Sequence, residues 1–315
     1  MHRHPKGGFQ VRTSSSYDST LSNLEEKLKS ARTSDPRLEA DLILSEAVGK
    51  TCLEILLDKK QRISSEQSRK INSMLARRLK HEPLQYIFGK AYFRNLILKV
   101  GPGVLVPRPE TEILVEHALK LAPENSHVLD IATGSGAIAI SLAQERPDLM
   151  VNASDISRTA LGYARRNMKL NKVGKIKFWK ADLLKGIRKR KKFSVITANL
   201  PYINAKDYAA LPREIRKYEP KSALLSGKDG LNLIRKLILT APENLENGGH
   251  LILEISPEQE RKIICFFDKS KKFSSIEFKK DLCGKIRFCI IKKKMKHRRP
   301  ACVLKHRYVT PAKGM

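Results

Sequence analysis

An open α/β sheet with an antiparallel addition near its end, preceded by a small helical domain, is the fold class predicted by this 315-residue chain. Three observations predict it. The first hundred residues place apolar side chains at helical spacing between short polar or proline-containing breaks. From His127 onward, stretches rich in β-formers alternate with helical ones, the pattern of strands joined through helical crossovers. A late pair of β-rich stretches, 273–281 and 286–293, has only a short polar break between its members and is expected to pair antiparallel.

Taken in order, residues 1–18 form a basic N-terminus expected to be flexible, and residues 19–84 form the helical domain. Its helices are expected over "TLSNLEEKLKSA", "PRLEADLILSEAV" and "SSEQSRKINSMLARRLK". In the third, Ile71, Met74, Leu75 and Leu79 recur on one face. Residues 85–108 mix β-formers with Gly and Pro and read as a connecting hairpin. The second domain, 109–291, opens with "ETEILVEHALKLA", whose buried stripe is Leu114, Val115, Ala118 and Leu121. Its strands follow as "HVLDIA", "LMVNASD", "IKFWKAD", "FSVITANL", "GGHLILEIS" and the late pair; residues 292–315 form a basic tail.

Composition narrows the function classes. With 62 Lys and Arg against 32 Asp and Glu, the formal charge of +30 suits an acidic partner such as nucleic acid or a ribonucleoprotein. Five cysteines without a CxxC pair favour a reducing, cytoplasmic setting and disfavour structural zinc. His250, His297 and His306 have no metal-ligand spacing with them, and no metal is expected. The basic start has no apolar run after it, and no stretch approaches the length of a membrane span.

Open α/β sheets bind ligands beyond the carboxyl ends of their strands, and Asp130, Asp155, Asp182, Asn199 and Glu254 all fall at such ends. The first turn, "VLDIATGSGAIAISLA", carries Gly134 and Gly136 before a helix whose free amides favour anionic groups. Ala139 leaves the dinucleotide fingerprint incomplete, and no Walker segment exists, which disfavours nicotinamide, flavin, kinase and ATPase readings. Asp155, 19 residues after Gly136, suits ribose hydroxyls, and Asp182 suits an exocyclic amine. Their plain alternative is a cap or turn residue. A nucleoside with an amino-acid tail, S-adenosylmethionine, meets these features together, with Asp130 near the tail or orienting the turn.

The fourth expected strand ends in "NLPYI". Methylating the nitrogen of an amide or an adenine requires holding a planar, delocalised group for an in-line approach. Asn199 can accept one N–H through its side-chain oxygen, the Leu200 carbonyl can accept the second, Pro201 stiffens the chain and Tyr202 can cover the planar face. The plain alternative is a structural turn.

These segments together resemble the bacterial release factor glutamine methyltransferases, the HemK-like family of S-adenosylmethionine-dependent enzymes. The resemblance spans roughly residues 20 to 291 and rests on "EPLQYIFGKAYF", "VLVPRPETEILVEHAL", "VLDIATGSGAIAISLA", "ASDISRTALGYARRN", "ITANLPYI", "ALLSGKDGLNLIRKLI", "LENGGHLILEISPEQ" and "DLCGKIRFCII". It implies a seven-strand, Rossmann-like class I methyltransferase sheet joined to an N-terminal helical bundle that recognises the substrate. It also implies methylation of the side-chain amide of the glutamine in the Gly-Gly-Gln loop of peptide chain release factors; the enzyme is expected to act as a monomer without metal. By the same likeness Asp130, Thr133, Gly134, Gly136, Asp155, Asp182 and Asn199 are expected at the cofactor. Asn199, Leu200, Pro201 and Tyr202 are expected at the amide, and Arg108, Pro109 and Glu110 at the substrate entrance.

Three positions depart from the family pattern. Ala132 stands where glycine is common, and an ordinary backbone angle there would tolerate it. Leu200 replaces a proline, so the motif is expected to lose one ring of rigidity. Ser256 stands where glycine often follows the Glu-Ile pair. Asn-Leu-Pro-Tyr is also the spelling of ribosomal RNA adenine dimethyltransferases, so an adenine N6-methyltransferase acting on ribosomal RNA or DNA is the alternative. The "PRPETE" element and the leading helical domain speak for the glutamine enzyme. The run "KGIRKRKK" is expected on an exposed helix or loop, as a solvated surface or a partner contact. The tail either touches the ribosome or ribosomal RNA through phosphate attraction or remains disordered.

Overall fold

The computed structural model describes residues 13–187 and 190–295. The N-terminal extension through residue 12, positions 188 and 189 of the basic run, and the tail from residue 296, with His297 and His306, lie outside the described residues.

The helical domain consists of α1 (Tyr17–Ser30), α2 (Pro36–Val48), α3 (Cys52–Leu57), α4 (Ser65–Arg78) and α5 (Leu84–Phe88). Helix α1 starts within the stretch expected to be flexible, because Ser16 caps it by accepting from the Ser19 amide and Tyr17 is buried in the domain core. Asp35 with Pro36 opens α2, and Gly49, at φ +72°, ends it. Reciprocal capping boxes of Thr51 with Glu54 and Ser64 with Gln67 open α3 and α4. Leu24, Leu28, Ile43, Leu44 and Ile71 form a fully buried centre. Leu79, expected on the buried stripe, is exposed because α4 ends one residue before it.

Helix α5 occupies the first residues of the expected hairpin and stops at Gly89, also at φ +72°. The hairpin proper is β1 (Lys90–Phe93) paired antiparallel with β2 (Leu96–Lys99). The second domain then runs α6 (Thr111–Leu121), β3 (His127–Ile131), α7 (Ala137–Glu145), β4 (Met150–Asp155), α8 (Arg158–Leu170), β5 (Lys177–Lys180), β6 (Phe193–Ala198), α9 (Ala205–Ala210) and α10 (Arg213–Tyr218). It closes with α11 (Asn232–Thr240), β7 (Leu245–Glu254), α12 (Glu260–Ser270), β8 (Phe273–Lys280) and β9 (Ile286–Lys293).

Its seven strands lie in the order β5-β4-β3-β6-β7-β9-β8. The first five are parallel, and β9 joins β7, and β8 joins β9, antiparallel. The predicted α/β sheet with its antiparallel end is thus present, with seven strands. Strand order reverses at β3, where a doubly wound sheet opens a crevice beyond its carboxyl ends.

Alternation along the strands sets which way the site residues point. Leu129, Ile131, Ile196, Leu251 and Leu253 pack into one apolar layer with α11, whereas Val128, Val195 and Ile252 face the opposite layer with α6 and α7. By this period Asp130, Thr197, Asn199 and Glu254 belong to the α6 and α7 side. Asn199 and Glu254 thereby meet Thr111 in the first turn of α6, while Thr197 meets Asp130.

Candidate active site

A cleft of about 1070 Å³, counting its open mouth, lies beyond the carboxyl ends of β3, β4 and β6. Its floor is the β3-to-α7 turn. There Thr133, Gly134, Ala137 and Ile138 line the cleft, whereas Gly136 does not. Gly134 sits at φ +58°, and a side chain on it would meet only two atoms, each 4.0 Å away. That face is open to a ligand. Gly136, at φ +88°, has another job: a Cβ there would press on Ile140 Cδ1 at 2.8 Å and Ala164 Cα at 3.2 Å, so its absence lets α7 close on α8.

Ala132 precedes this turn at φ +56°. The ordinary backbone angle that would tolerate alanine is therefore not the one found. The alanine occupies the left-handed region, where a Cβ costs about 1–2 kcal/mol. Its carbonyl lies 4.0 Å from the open face of Gly134, so the strained residue helps set the cleft floor.

Asp155 ends β4 and is nearly buried. Its Oδ2 accepts from the Gly134 amide at 2.9 Å and its Oδ1 from the Ser157 amide at 2.8 Å. Burial raises its carboxyl above the ordinary value against the downward pull of these amides. Ile156, 62% exposed, lies beside it on the cleft wall and offers an apolar face. Asp182 also lines the cleft, but its carboxylate pairs with Lys236 at 2.8 Å and both side chains are about half exposed.

Asp130 lies under the turn rather than on the cleft wall. Thr197 donates to its Oδ1 at 3.0 Å, while its Oδ2 and the cleft-lining Thr133 Oγ1 are buried without a hydrogen-bond partner. Burial pushes the Asp130 carboxyl up to about 7, against the downward influence of the Thr197 hydroxyl. Two orphaned polar groups beneath a ligand-shaped floor mark where a charged or hydrogen-bonding tail would be received.

The side wall contains Asn199, Leu200 and Pro201 from the end of β6. Glu254, at the end of β7 and 2% exposed, organises this wall. Its Oε2 accepts from Thr111 Oγ1 at 2.7 Å and from Asn199 Nδ2 at 3.0 Å, while Tyr202 donates to its Oε1 at 3.3 Å. Asn199 Nδ2 also reaches Thr111 Oγ1 at 3.1 Å. Thr111 has committed its only hydroxyl proton to Glu254, so both neighbours of the asparagine amide are acceptors. They select the flip with Nδ2 inward, which leaves Oδ1 as the acceptor available to a ligand.

Burial raises the Glu254 carboxyl, opposed by its bonds to Thr111 and Tyr202 and by the charge of Arg287. Three donors favour its ionised form. Tyr202 is driven well above the usual phenol range by burial and by Glu254, which removes it as a base near neutrality.

Leu200 is 2% exposed and packs in the layer containing Ile131 and Ile196. Burying a leucine contributes about 1.5–3 kcal/mol, whereas proline's restriction of the unfolded chain contributes about 0.4–1 kcal/mol. The Leu200 side chain is therefore held by packing into this layer. Ser256 likewise has a positive role. It forms a capping box with Gln259, whose Nε2 donates to the carbonyls of Tyr202 at 2.9 Å and Gly230 at 3.2 Å.

The entrance loop is divided. Arg108 lines the cleft and pairs with buried Glu219 at 2.6 Å, and Glu219 also accepts from the Val106 amide at 3.4 Å. Glu110 is exposed and outside the lining; the next residue, Thr111, reaches the site because its side chain begins the buried face of α6. The segment carrying Glu219 is tied back to the helical domain. Buried Arg78 bridges Glu39 at 2.7 Å and Glu214 at 2.6 Å, and the Tyr218 hydroxyl donates to the Lys80 carbonyl at 3.0 Å.

Sequence reasoning missed Thr111 and Glu219 and placed Glu254 only as a strand end. The Thr lay inside the "PRPETE" segment, where charged neighbours drew the assignment. No local pattern marked Glu219.

Comparison with known proteins gives two family matches: the model described as PrmC N-terminal domain covers residues 19–89, and Methyltransferase small domain covers residues 109–217. A relative from Thermodesulfovibrio yellowstonii named release factor glutamine methyltransferase is 42% identical over 235 residues, covering 73% of this chain and 84% of its own. Its namesake from Coxiella burnetii is 36% identical over 260 residues, covering 82% and 92%. A third, from Geobacter sulfurreducens, is 36% identical over 234 residues, covering 74% and 82%.

Proposed function

The chain belongs to the release factor glutamine methyltransferase family, and from that premise we propose how its own residues carry the reaction. It transfers a methyl group from S-adenosylmethionine to the side-chain amide nitrogen of a glutamine in peptide chain release factors, the Gly-Gly-Gln loop being the assigned target. The family assignment favours this reading over adenine methylation of ribosomal RNA or DNA.

The observation that supports the mechanism is the double restraint on Nδ2 of cleft-lining Asn199 by Thr111 and Glu254, which leaves Oδ1 as the acceptor for a ligand. In the proposed reaction that oxygen accepts one N–H of the substrate amide and the Leu200 carbonyl accepts the other. The amide is thereby held in one plane and one orientation, which supplies part of the rate through lost freedom already surrendered on binding. Pro201 limits the backbone after Leu200. Tyr202, held by Glu254, backs the motif. No strong base is required at this wall, since the proton leaves to water after the nitrogen has gained positive charge.

S-adenosylmethionine supplies an electrophilic methyl group on a sulfonium centre. The cleft suits it by its open glycine face, its orphaned buried groups and its apolar rim. We assign Asp155 to the ribose hydroxyls, Ile156 to the base, Asp182 to the exocyclic amine, and Asp130, Thr133 and Gly134 to the amino-acid tail. Gly136 supports the turn from behind.

The helical domain is assigned to release factor recognition, with the enzyme acting as a monomer. An apolar face supports this assignment. Leu38 and Leu42 on α2, and Leu53, Leu56 and Leu57 on the adjoining α3, are 36–79% exposed. Exposed leucines at i, i+3 and i+4 on neighbouring helices suit a protein partner. The Arg78 bridge would transmit docking there to the cleft-lining segment.

The test is transfer of a labelled methyl group to a purified release factor and to its variant lacking the loop glutamine. Label is expected on the first and not on the second. Efficient labelling of RNA with none on protein would replace this function with the adenine reading.

A further inference from the structure

The second domain carries an unneutralised cationic face at one edge of its sheet. From Ser157 to Lys192 the sequence contains fourteen Lys and Arg and a single acid, Asp182. That acid is paired with Lys236 from α11. Arg158, Arg165 and Lys169 are exposed along α8, separated by seven and four residues and hence on one helical face. Lys172 and Lys175 are exposed in the following turn, and on β5 Lys180 is exposed on the side of α8, with Phe178 under Arg165, while Lys177 is exposed on the other side with Trp179. None of these seven makes an ion pair with a carboxylate among the described residues.

Strand β5 is the outermost strand on its side. Lysines on an edge strand discourage pairing with another sheet, which accounts for Lys177 and Lys180 alone. It does not account for the α8 stripe or the turn. The mutual repulsion has a local cost: burial and Lys177 together pull the Lys191 ammonium below its ordinary value. Lys191 is held over the Trp179 ring at 4.7 Å and against Asn152 Oδ1 at 2.9 Å, without an acidic partner among the described residues.

We propose that the face formed by α8, the 171–176 turn and β5 binds the phosphate backbone of RNA. Charge complementarity selects a polyanion, since like charges are gathered here without the alternating acids of an ordinary solvated face. The apolar side of α8 is spent on the protein interior at Leu161 and Ala164, leaving no amphipathic surface of the kind that enters a membrane. The choice of RNA rests on the proposed function, whose protein substrate works on the ribosome. Contact is through phosphate and without base readout, so it concentrates the enzyme near its substrate rather than selecting a sequence.

The experiment measures binding of a labelled oligouridylate to the full chain from about 50 to about 200 mM salt. Two quadruple variants are compared: K169E/K172E/K175E/K180E on the proposed face, and K59E/K60E/R69E/K70E on the helical domain with the same change in charge. The face variant should weaken binding at least about tenfold and flatten the logarithmic salt slope by about 3, at roughly 0.7 per phosphate contact. The control should retain most of both. Equal loss in the two variants, no RNA binding by the parent chain, or loss of binding to phosphatidylserine vesicles in place of RNA would overturn the proposal. Methyl transfer to free release factor, measured on the same samples, reports on the function separately, and the face variant should retain it.

Discussion

Removing the carboxylate of Glu254 should expose how Asn199 is held. In the Glu254→Ala variant, Asn199 Nδ2 keeps only its 3.1 Å contact with Thr111, whose own hydroxyl proton loses its 2.7 Å acceptor. The Thr111 hydroxyl is then free to donate, and the asparagine amide can turn over and present Nδ2 instead of Oδ1. A hydrogen bond to a charged group is worth about 1.5–3 kcal/mol. Taking about 2 kcal/mol as the restraint lost at the reacting geometry gives about a thirtyfold fall in kcat. Glu254→Gln has a different prospect. With its oxygen toward Thr111 and Asn199 and its NH2 toward the Tyr202 oxygen, it keeps all three contacts and should remain within about tenfold of the parent, losing charge assistance only. The assay is single-turnover methyl transfer at saturating release factor and cofactor, with calorimetric cofactor affinity measured alongside. Full activity in Glu254→Ala would refute the positioning role. So would equal damage in the two variants, or an effect confined to cofactor affinity.

Three further outcomes follow from particular residues. Ala132→Gly relieves a left-handed Cβ worth about 1–2 kcal/mol while adding about 0.5–1 kcal/mol of unfolded-chain freedom, so thermal unfolding should rise by a few degrees; a lower Tm would contradict the strain. Asp130, with a carboxyl near 7 in the folded protein against 3.8 ordinarily, keeps a proton that the unfolded chain releases. Its contribution is therefore fully present below about pH 4 and lost as pH rises through 7, a change of about 4 kcal/mol. The Tm of Asp130→Asn should gain on that of the parent over this interval, and parallel curves would refute the assignment. Leu53→Asp with Leu57→Asp should raise KM for release factor at least about tenfold while leaving kcat and cofactor affinity near those of the parent, by removing apolar contact area; an unchanged KM would remove this face from recognition.

Much of the fold was legible because its signals are local or periodic. The strand endings aligned Asp130, Asp155, Asn199 and Glu254, and period-two alternation then placed three of them on the α6 side of the sheet. Helix α3 escaped notice because six residues give too little periodicity, its start being marked only by the Thr51 and Glu54 box. The role of Thr111 was not legible, since it depends on α6 crossing the ends of β6 and β7, a tertiary relation. Glu219 meets Arg108 across 111 residues of sequence for the same reason. At Ala132 local reasoning ran the wrong way: a residue that avoids left-handed backbone sits in it, which only the folded turn reveals. The packing of Leu200 with Ile131 and Ile196 is likewise a tertiary relation that the spelling of the motif does not show.

The most direct test of the account is mass mapping of a release factor after incubation with the enzyme and S-adenosylmethionine. One added methyl group is expected on the side chain of the Gly-Gly-Gln glutamine, absent when Asn199→Ala replaces the parent enzyme. A methyl group at another residue, or undiminished modification of that glutamine by Asn199→Ala, would contradict it.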